Sequence, residues 1–150
     1  MPQSFLSVHV HLVFGTKSRA RYLTERVRPR VHEYLGGIAS TNGCIPVAIN
    51  GPDDHVHLLV GLGKETPPAQ LVKLLKVGSS RWIHDTFPDL GNFAWQTGYG
   101  MFGVSVNGLN QVARYINNQA EHHREISFQE EYRSFLMKQG VAYDERYLWD

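Results

Sequence analysis

Eight histidines occur among the 150 residues, and four of them form two His-x-His pairs, His9/His11 and His55/His57. Both pairs lie in stretches of apolar and β-branched residues, so each reads as part of a strand. Side chains alternate along a strand, which puts His55 and His57 on one face and Val56, Leu58 and Val60 on the other. Two imidazoles about 6.5–7 Å apart along a strand can converge on one cation. Histidines in this pattern also occur as part-buried sheet residues without a ligand. If the first and third strands are neighbours, His9 and His11 open a third reading, a four-histidine zinc site closed to substrate.

A second group lies in the segment ARYINNQAEHHR, residues 113–124. On a helix, Tyr115 and Gln119 stand one turn apart and about 40° from each other around the axis. His122 falls near the same line, and Leu109, Val112 and Ile116 form the adjacent apolar stripe. Tyr115 and Gln119 thus occupy the edge of a buried face, from which they can reach across to a sheet. A phenol with its ordinary pKa of about 10 is a weak nucleophile at neutral pH. It becomes useful when a metal ion polarises the phosphate it attacks. A glutamine amide oxygen is a neutral hard donor suited to Mg²⁺ or Mn²⁺. From spacing alone, Tyr115 also fits a core-edge residue and Gln119 a solvated one.

The elements that must position these groups follow one another without repeat or low-complexity tract. Residues 5–14 (FLSVHVHLVF) read as a strand and 16–22 (TKSRARY) as a basic loop. A helix is expected over 24–40 from Val27, Val31, Leu35 and Ile38, with Thr24 as N-cap and Pro29 tolerated near its start. Residues 44–50 and 55–62 read as a hairpin around the turn Gly51-Pro52-Asp53-Asp54. A helix over 67–87 carries Leu71, Leu74, Leu75 and Trp82 on its apolar face. Residues 93–105 read as a fourth strand, broken near Gly98 and Gly100. Helices over 107–125 and 127–139 complete the chain. The first six elements give an α+β, ferredoxin-like βαββαβ core: a four-stranded antiparallel sheet with helices on one face, followed by an extra C-terminal helix.

Length predicts one domain over residues 1–150. Hydrophobic residues make up 42% and charged residues 19%, enough for a packed core and unlike a disordered chain. A net charge of +1 excludes a general polyanion sponge, so any nucleic-acid binding must rest on local patches. No apolar run approaches the about 18 residues of a membrane span, and the start lacks a leader pattern. The single cysteine, Cys44, forms no internal disulfide. A cytoplasmic protein with no membrane partner is expected.

Taken together, HLVFGTKSR (11–19), PDDHVHLLV (52–60), LLKVGSSRW (74–82), FAWQTGYGMFGVS (93–105) and ARYINNQAEHHR (113–124) carry a resemblance over nearly the whole chain. The sequence resembles the single-tyrosine transposases of the IS200/IS605 type, members of the HUH endonuclease group, whose His-hydrophobic-His signature is matched by His55-Val56-His57. The resemblance implies that His55, His57 and Gln119 bind a divalent metal, Mg²⁺ or Mn²⁺, and that Tyr115 is the nucleophile. It implies cutting and rejoining of single-stranded DNA with hairpins at insertion-element ends, through a 5′-phosphotyrosine. It also implies a homodimer whose subunits share active sites, with Gly103 and Gly108 as hinge candidates. For such a substrate, Lys17, Arg19 and Arg21 after the first strand, and Lys73, Lys76, Ser79, Ser80 and Arg81 on the second helix, are candidate phosphate contacts. Ordinary surface charge is the alternative for each. Trp95, Tyr99 and Phe102 offer stacking faces for unpaired bases, or core packing. Two rivals remain at this level: a catalytically silent relative that binds hairpins, and a metal phosphoesterase that uses water in place of Tyr115.

Overall fold

The computed structural model describes residues 3–119 and 126–149. Four strands, β1 (His9–Gly15), β2 (Ile45–Asn50), β3 (His55–Gly61) and β4 (Gly100–Val104), form one antiparallel sheet in the order β2-β3-β1-β4. The helices are α1 (Arg28–Thr41), α2 (Pro68–Thr86), α3 (Leu109–Asn117) and α4 (Phe128–Lys138). The βαββαβ arrangement expected from the sequence is therefore present.

The two central strands divide their side chains between two cores, as the period-two alternation requires. Leu12 and Phe14 of β1 and Val56, Leu58 and Val60 of β3 pack with Val31, Leu35, Leu71, Leu75 and Ile83 of α1 and α2. Each such fully buried aliphatic side chain contributes about 1.5–3 kcal/mol. The opposite face is not left open. Val13 and Phe102 pack with Phe128, Tyr132 and Leu136 of α4, and Ala48 and Leu59 pack with Ile116 of α3. The ferredoxin-like helices occupy one face, as expected, while α3 and the C-terminal helix cover the other. His55, His57 and His11 lie beneath that second cover.

Three local expectations are corrected. The segment 93–105 is a strand only over Gly100–Val104; before it, Trp95 makes an isolated bridge to Thr16. The backbone there is bonded elsewhere: Lys76 Nζ donates to the carbonyls of Gln96, Thr97 and Gly98 at 2.8, 3.2 and 2.8 Å. Helix α1 begins four residues after Thr24, which contributes its carbonyl to the Val27 and Arg28 amides rather than a side-chain cap. The third helix ends at Asn117, where Asn118 turns to φ −100, ψ 22. Most of the remainder of that expected helix, including His122, lies outside the described residues.

Candidate active site

The site is built on β3. The chain enters it through the tight turn at Gly51, where a Cβ would sit 2.4 Å from the His55 carbonyl oxygen. Only glycine allows that approach. His55 and His57 then project together from the same face, both fully buried. At Gly15, directly across from His55 on β1, a Cβ would lie 2.7 Å from the Phe128 ring. The missing side chain makes room for Phe128, whose ring stacks on His55 with centroids 4.0 Å apart.

Glu131 of α4, itself buried, joins the two histidines. Its Oε1 lies 3.2 Å from His55 Nε2 and 2.9 Å from His57 Nε2. Its Oε2 accepts a hydrogen bond from the Tyr115 hydroxyl. The ligand atoms of His55, His57 and Glu131 all lie within 4.8 Å of one another. Tyr115 comes from α3, whose C-terminal end is tied to the sheet by Asn50 of β2. The Asn50 amide donates to the carbonyls of Ile116 and Asn117 at 3.1 and 3.2 Å, two of the acceptors a helix end leaves unpaired. Gln119 follows one turn later and is fully buried. Its Nε2 donates to the Tyr115 carbonyl at 3.3 Å, while its Oε1 has no hydrogen-bond partner among the described residues. A buried amide oxygen in that state is costly unless a further donor or a cation pairs with it.

The remaining ring nitrogens of the two histidines have different partners. His55 Nδ1 donates to Asp54 Oδ1 at 2.7 Å. His57 Nδ1 lies 2.8 Å from Nε2 of His11. Burial and the neighbouring His57 push the His11 pKa down to about 3, so its ring is neutral. Burial also opposes protonation of His55, but the hydrogen bonds and charges of Asp54 and Glu131 outweigh it, and the net shift is upward. Burial raises the Tyr115 pKa well above the phenol range; the Glu131 charge and hydrogen bond add to this, and a hydrogen bond from Gln119 opposes it. The phenol is thus held protonated, donating its hydrogen to the Glu131 carboxylate.

The four-histidine zinc reading is not realised. His9 stands opposite Gly61, six residues along β1 from the level of His55, roughly 20 Å at strand rise. His11 spends its Nε2 on His57 Nδ1, on the side of the ring away from Glu131. Glu131 escaped the sequence reading altogether. It carries no local signature: its link to the histidines spans 74 to 76 residues.

The candidate phosphate contacts divide. Lys17, Arg19, Arg21, Lys73 and Arg81 are exposed, and Ser80 is half-buried. Ser18 and Arg19, next to the site-bearing end of β1, both adopt left-handed backbone at φ 57 and 56, a strained geometry for non-glycine residues. Ser79 is corrected: it is fully buried, its hydroxyl donating to the Leu75 carbonyl at 2.6 Å and accepting from Trp95 Nε1 at 2.9 Å. The Lys76 ammonium is committed to the three loop carbonyls, and burial lowers its pKa to about 8. Trp95 and Phe102 are core residues, whereas Tyr99 is exposed.

Residues 4–119 match the family described as "Transposase IS200 like". The chain is 31% identical over 114 residues to ISDra2 transposase TnpA of Deinococcus radiodurans, covering 73% of this chain and 81% of that protein. It superposes on the crystal structure of a candidate transposase from Deinococcus radiodurans R1 with a TM-score of 0.64 and 31% identity, over 79% of this chain and 96% of that one. A REP-associated tyrosine transposase bound to a REP hairpin shares the fold, with a TM-score of 0.59 at 13% identity, over 82% of this chain and 72% of that one. The family match stops at Gln119, so Glu131 lies beyond the stretch that defines it.

Proposed function

The chain belongs to the IS200-like family of DNA transposases, and on that premise we propose that it cuts and rejoins single-stranded DNA at insertion-element ends through a covalent phosphotyrosine at Tyr115. One observation carries this reading. A single buried carboxylate, Glu131, meets both histidines with one oxygen and the Tyr115 hydroxyl with the other. A tyrosine poised against the ligand cluster is what a nucleophile requires.

His55, His57 and Glu131 would hold a divalent cation, with the unpartnered Oε1 of Gln119 as a further donor. Two imidazoles and two oxygen donors suit Mn²⁺ or Mg²⁺. When bound, such an ion supplies Lewis-acid stabilisation of charge on a non-bridging phosphate oxygen. Tyr115 Oη then attacks phosphorus in line as its proton passes to Glu131 Oε2. The bond from phosphorus to the 3′ oxygen breaks, that oxygen takes a proton from solvent and leaves as a hydroxyl, and Glu131 returns the tyrosine's proton to solvent. The phosphotyrosine retains the phosphodiester's energy, so a second 3′ hydroxyl can reverse the attack and join new ends without ATP. Lys17, Arg19, Arg21, Lys73, Ser80 and Arg81 are proposed as contacts to the DNA backbone.

The test uses single-stranded oligonucleotides with the hairpin-bearing ends that flank the protein's own coding sequence. Incubated with Mg²⁺ or Mn²⁺ and resolved on a denaturing gel, they should yield an upstream fragment with a free 3′ hydroxyl and a downstream fragment linked to the protein through its 5′ phosphate. EDTA should abolish both. Cleavage without an adduct would favour hydrolysis, and hairpin binding without cleavage a silent relative.

The family resemblance further suggests a homodimer in which α3 of one subunit serves the partner's histidines. In the structure Tyr115 lies beside the histidines of its own chain, with residues 105–108 linking α3 to β4. Exchange would pivot there, at Gly108; Gly103, the other hinge candidate, is paired with Val10 inside β4. Mixing Tyr115→Phe with His57→Ala subunits should restore partial cleavage if sites are shared. Verified mixed dimers without rescue would assign each site to one chain.

A further inference from the structure

His11 is fully enclosed on the site face of β1, yet it belongs neither to the ligand cluster nor to the nucleophile. Its ring lies edge to edge with that of His57, the planes 27° apart and the centroids 5.0 Å apart, and meets Phe135 at a right angle, also at 5.0 Å. Its Nε2 lies 2.8 Å from His57 Nδ1. An imidazole binds a cation through a nitrogen lone pair, and its other nitrogen then carries the proton. Nε2 of His57 faces Glu131 and the other ligand atoms. Nδ1 must then carry the proton and needs an acceptor, and the atom placed to accept it is His11 Nε2. His55 has the same need, met by the Asp54 carboxylate at 2.7 Å.

We propose that His11 is a positioning residue for the metal centre: it accepts the Nδ1 hydrogen of His57, which locks the His57 ring in place with the Nε2 lone pair directed at the ion. The inference rests on the reading of His57 as a ligand. It goes further in giving a role to the first-strand histidine and in naming the tautomer of each ring. His57 carries its proton on Nδ1, and His11, accepting at Nε2, carries its own on Nδ1.

Two substitutions separate this role from packing. His11→Phe keeps the aromatic ring and its contacts but removes the acceptor. His11→Gln removes the ring but keeps an acceptor oxygen at similar reach. Mn²⁺ affinity of the purified protein without DNA, measured by calorimetry, should fall about 10- to 100-fold in His11→Phe. In His11→Gln it should stay within a fewfold of wild type. The opposite order would show that the ring's packing is what matters and would overturn the proposal. Independently of either variant folding, ¹⁵N-histidine spectra of the wild-type protein with Mg²⁺ should show His57 protonated at Nδ1 and coupled to an acceptor. A proton on Nε2 in the loaded protein would also overturn it. Wild-type protein that takes up no Mn²⁺ would instead remove the ligand role of His57 itself, and this proposal with it.

Discussion

Tyr115→Phe is expected to abolish cleavage and the covalent adduct together, with a fall in rate of at least about 10⁴-fold, as when an enzyme's nucleophile is removed. The substitution deletes one oxygen. The ring remains near His57, Phe135 and His11, at centroid distances of 5.9, 5.8 and 6.3 Å, so packing is retained. The stability cost should be about 1.5–3 kcal/mol, the worth of a hydrogen bond to a charged group, and hairpin binding should be unchanged. In wild-type protein, mass spectrometry after digestion should find the nucleotide on the peptide containing Tyr115. Tyr99 is the instructive control, because it is exposed and easily reached by DNA but stands outside the cluster. An adduct on Tyr99, or one that persists in Tyr115→Phe, would refute the nucleophile assignment.

The second large effect is expected from the ligand pair. His55→Ala and His57→Ala should each reduce cleavage by about 10³-fold or more, since several kcal/mol of transition-state stabilisation would depend on the ion they are proposed to hold. Mn²⁺ uptake should be lost in parallel. Hairpin affinity should change little, because the proposed phosphate contacts are exposed or, for Ser80, half-buried residues outside the buried cluster. Each alanine also empties a fully buried site beneath α4. Thermal unfolding must therefore be compared with His11→Gln, which alters the same core without removing a proposed ligand. A histidine variant that folds and cleaves at the wild-type rate would refute the metal assignment.

Much of this protein was readable locally. The common face of His55 and His57 follows from the period of a strand, and the separation of Val56, Leu58 and Val60 into the other core follows from the same rule. The place of Tyr115 at the edge of the apolar stripe beside Ile116 follows from helical pitch, whereas Gln119 lies past the end of α3 at Asn117. The hairpin between β2 and β3 was announced by its Gly-Pro-Asp-Asp turn. These features depend on residues a few positions apart, and backbone geometry dictates them whatever the rest of the chain does.

Where local patterns compete with distant partners, the sequence misled. The apolar run 93–105 has the composition of a strand, but its first half gives its carbonyls to Lys76 and bridges Thr16 instead of pairing along its length. Ser79 looks like a surface hydroxyl on a basic helix, yet the Trp95 indole claims it. Arginine and lysine stretches announce charge without saying which cations remain available to DNA.

The completed site belongs to tertiary structure alone. Glu131 reaches His55 and His57 across 76 and 74 residues, and His11 reaches His57 across 46. No spacing rule connects such pairs. They meet because β1 lies beside β3 in the sheet and because the C-terminal helix closes over the face opposite α1 and α2. The sequence by itself determined which side chains share a strand face or a helix face, since those relations are set by fixed backbone periods. Which carboxylate approaches the histidines, which proton acceptor holds His57, and which nearby cations are spent on backbone carbonyls were decided only when the long loops closed and the two cores packed.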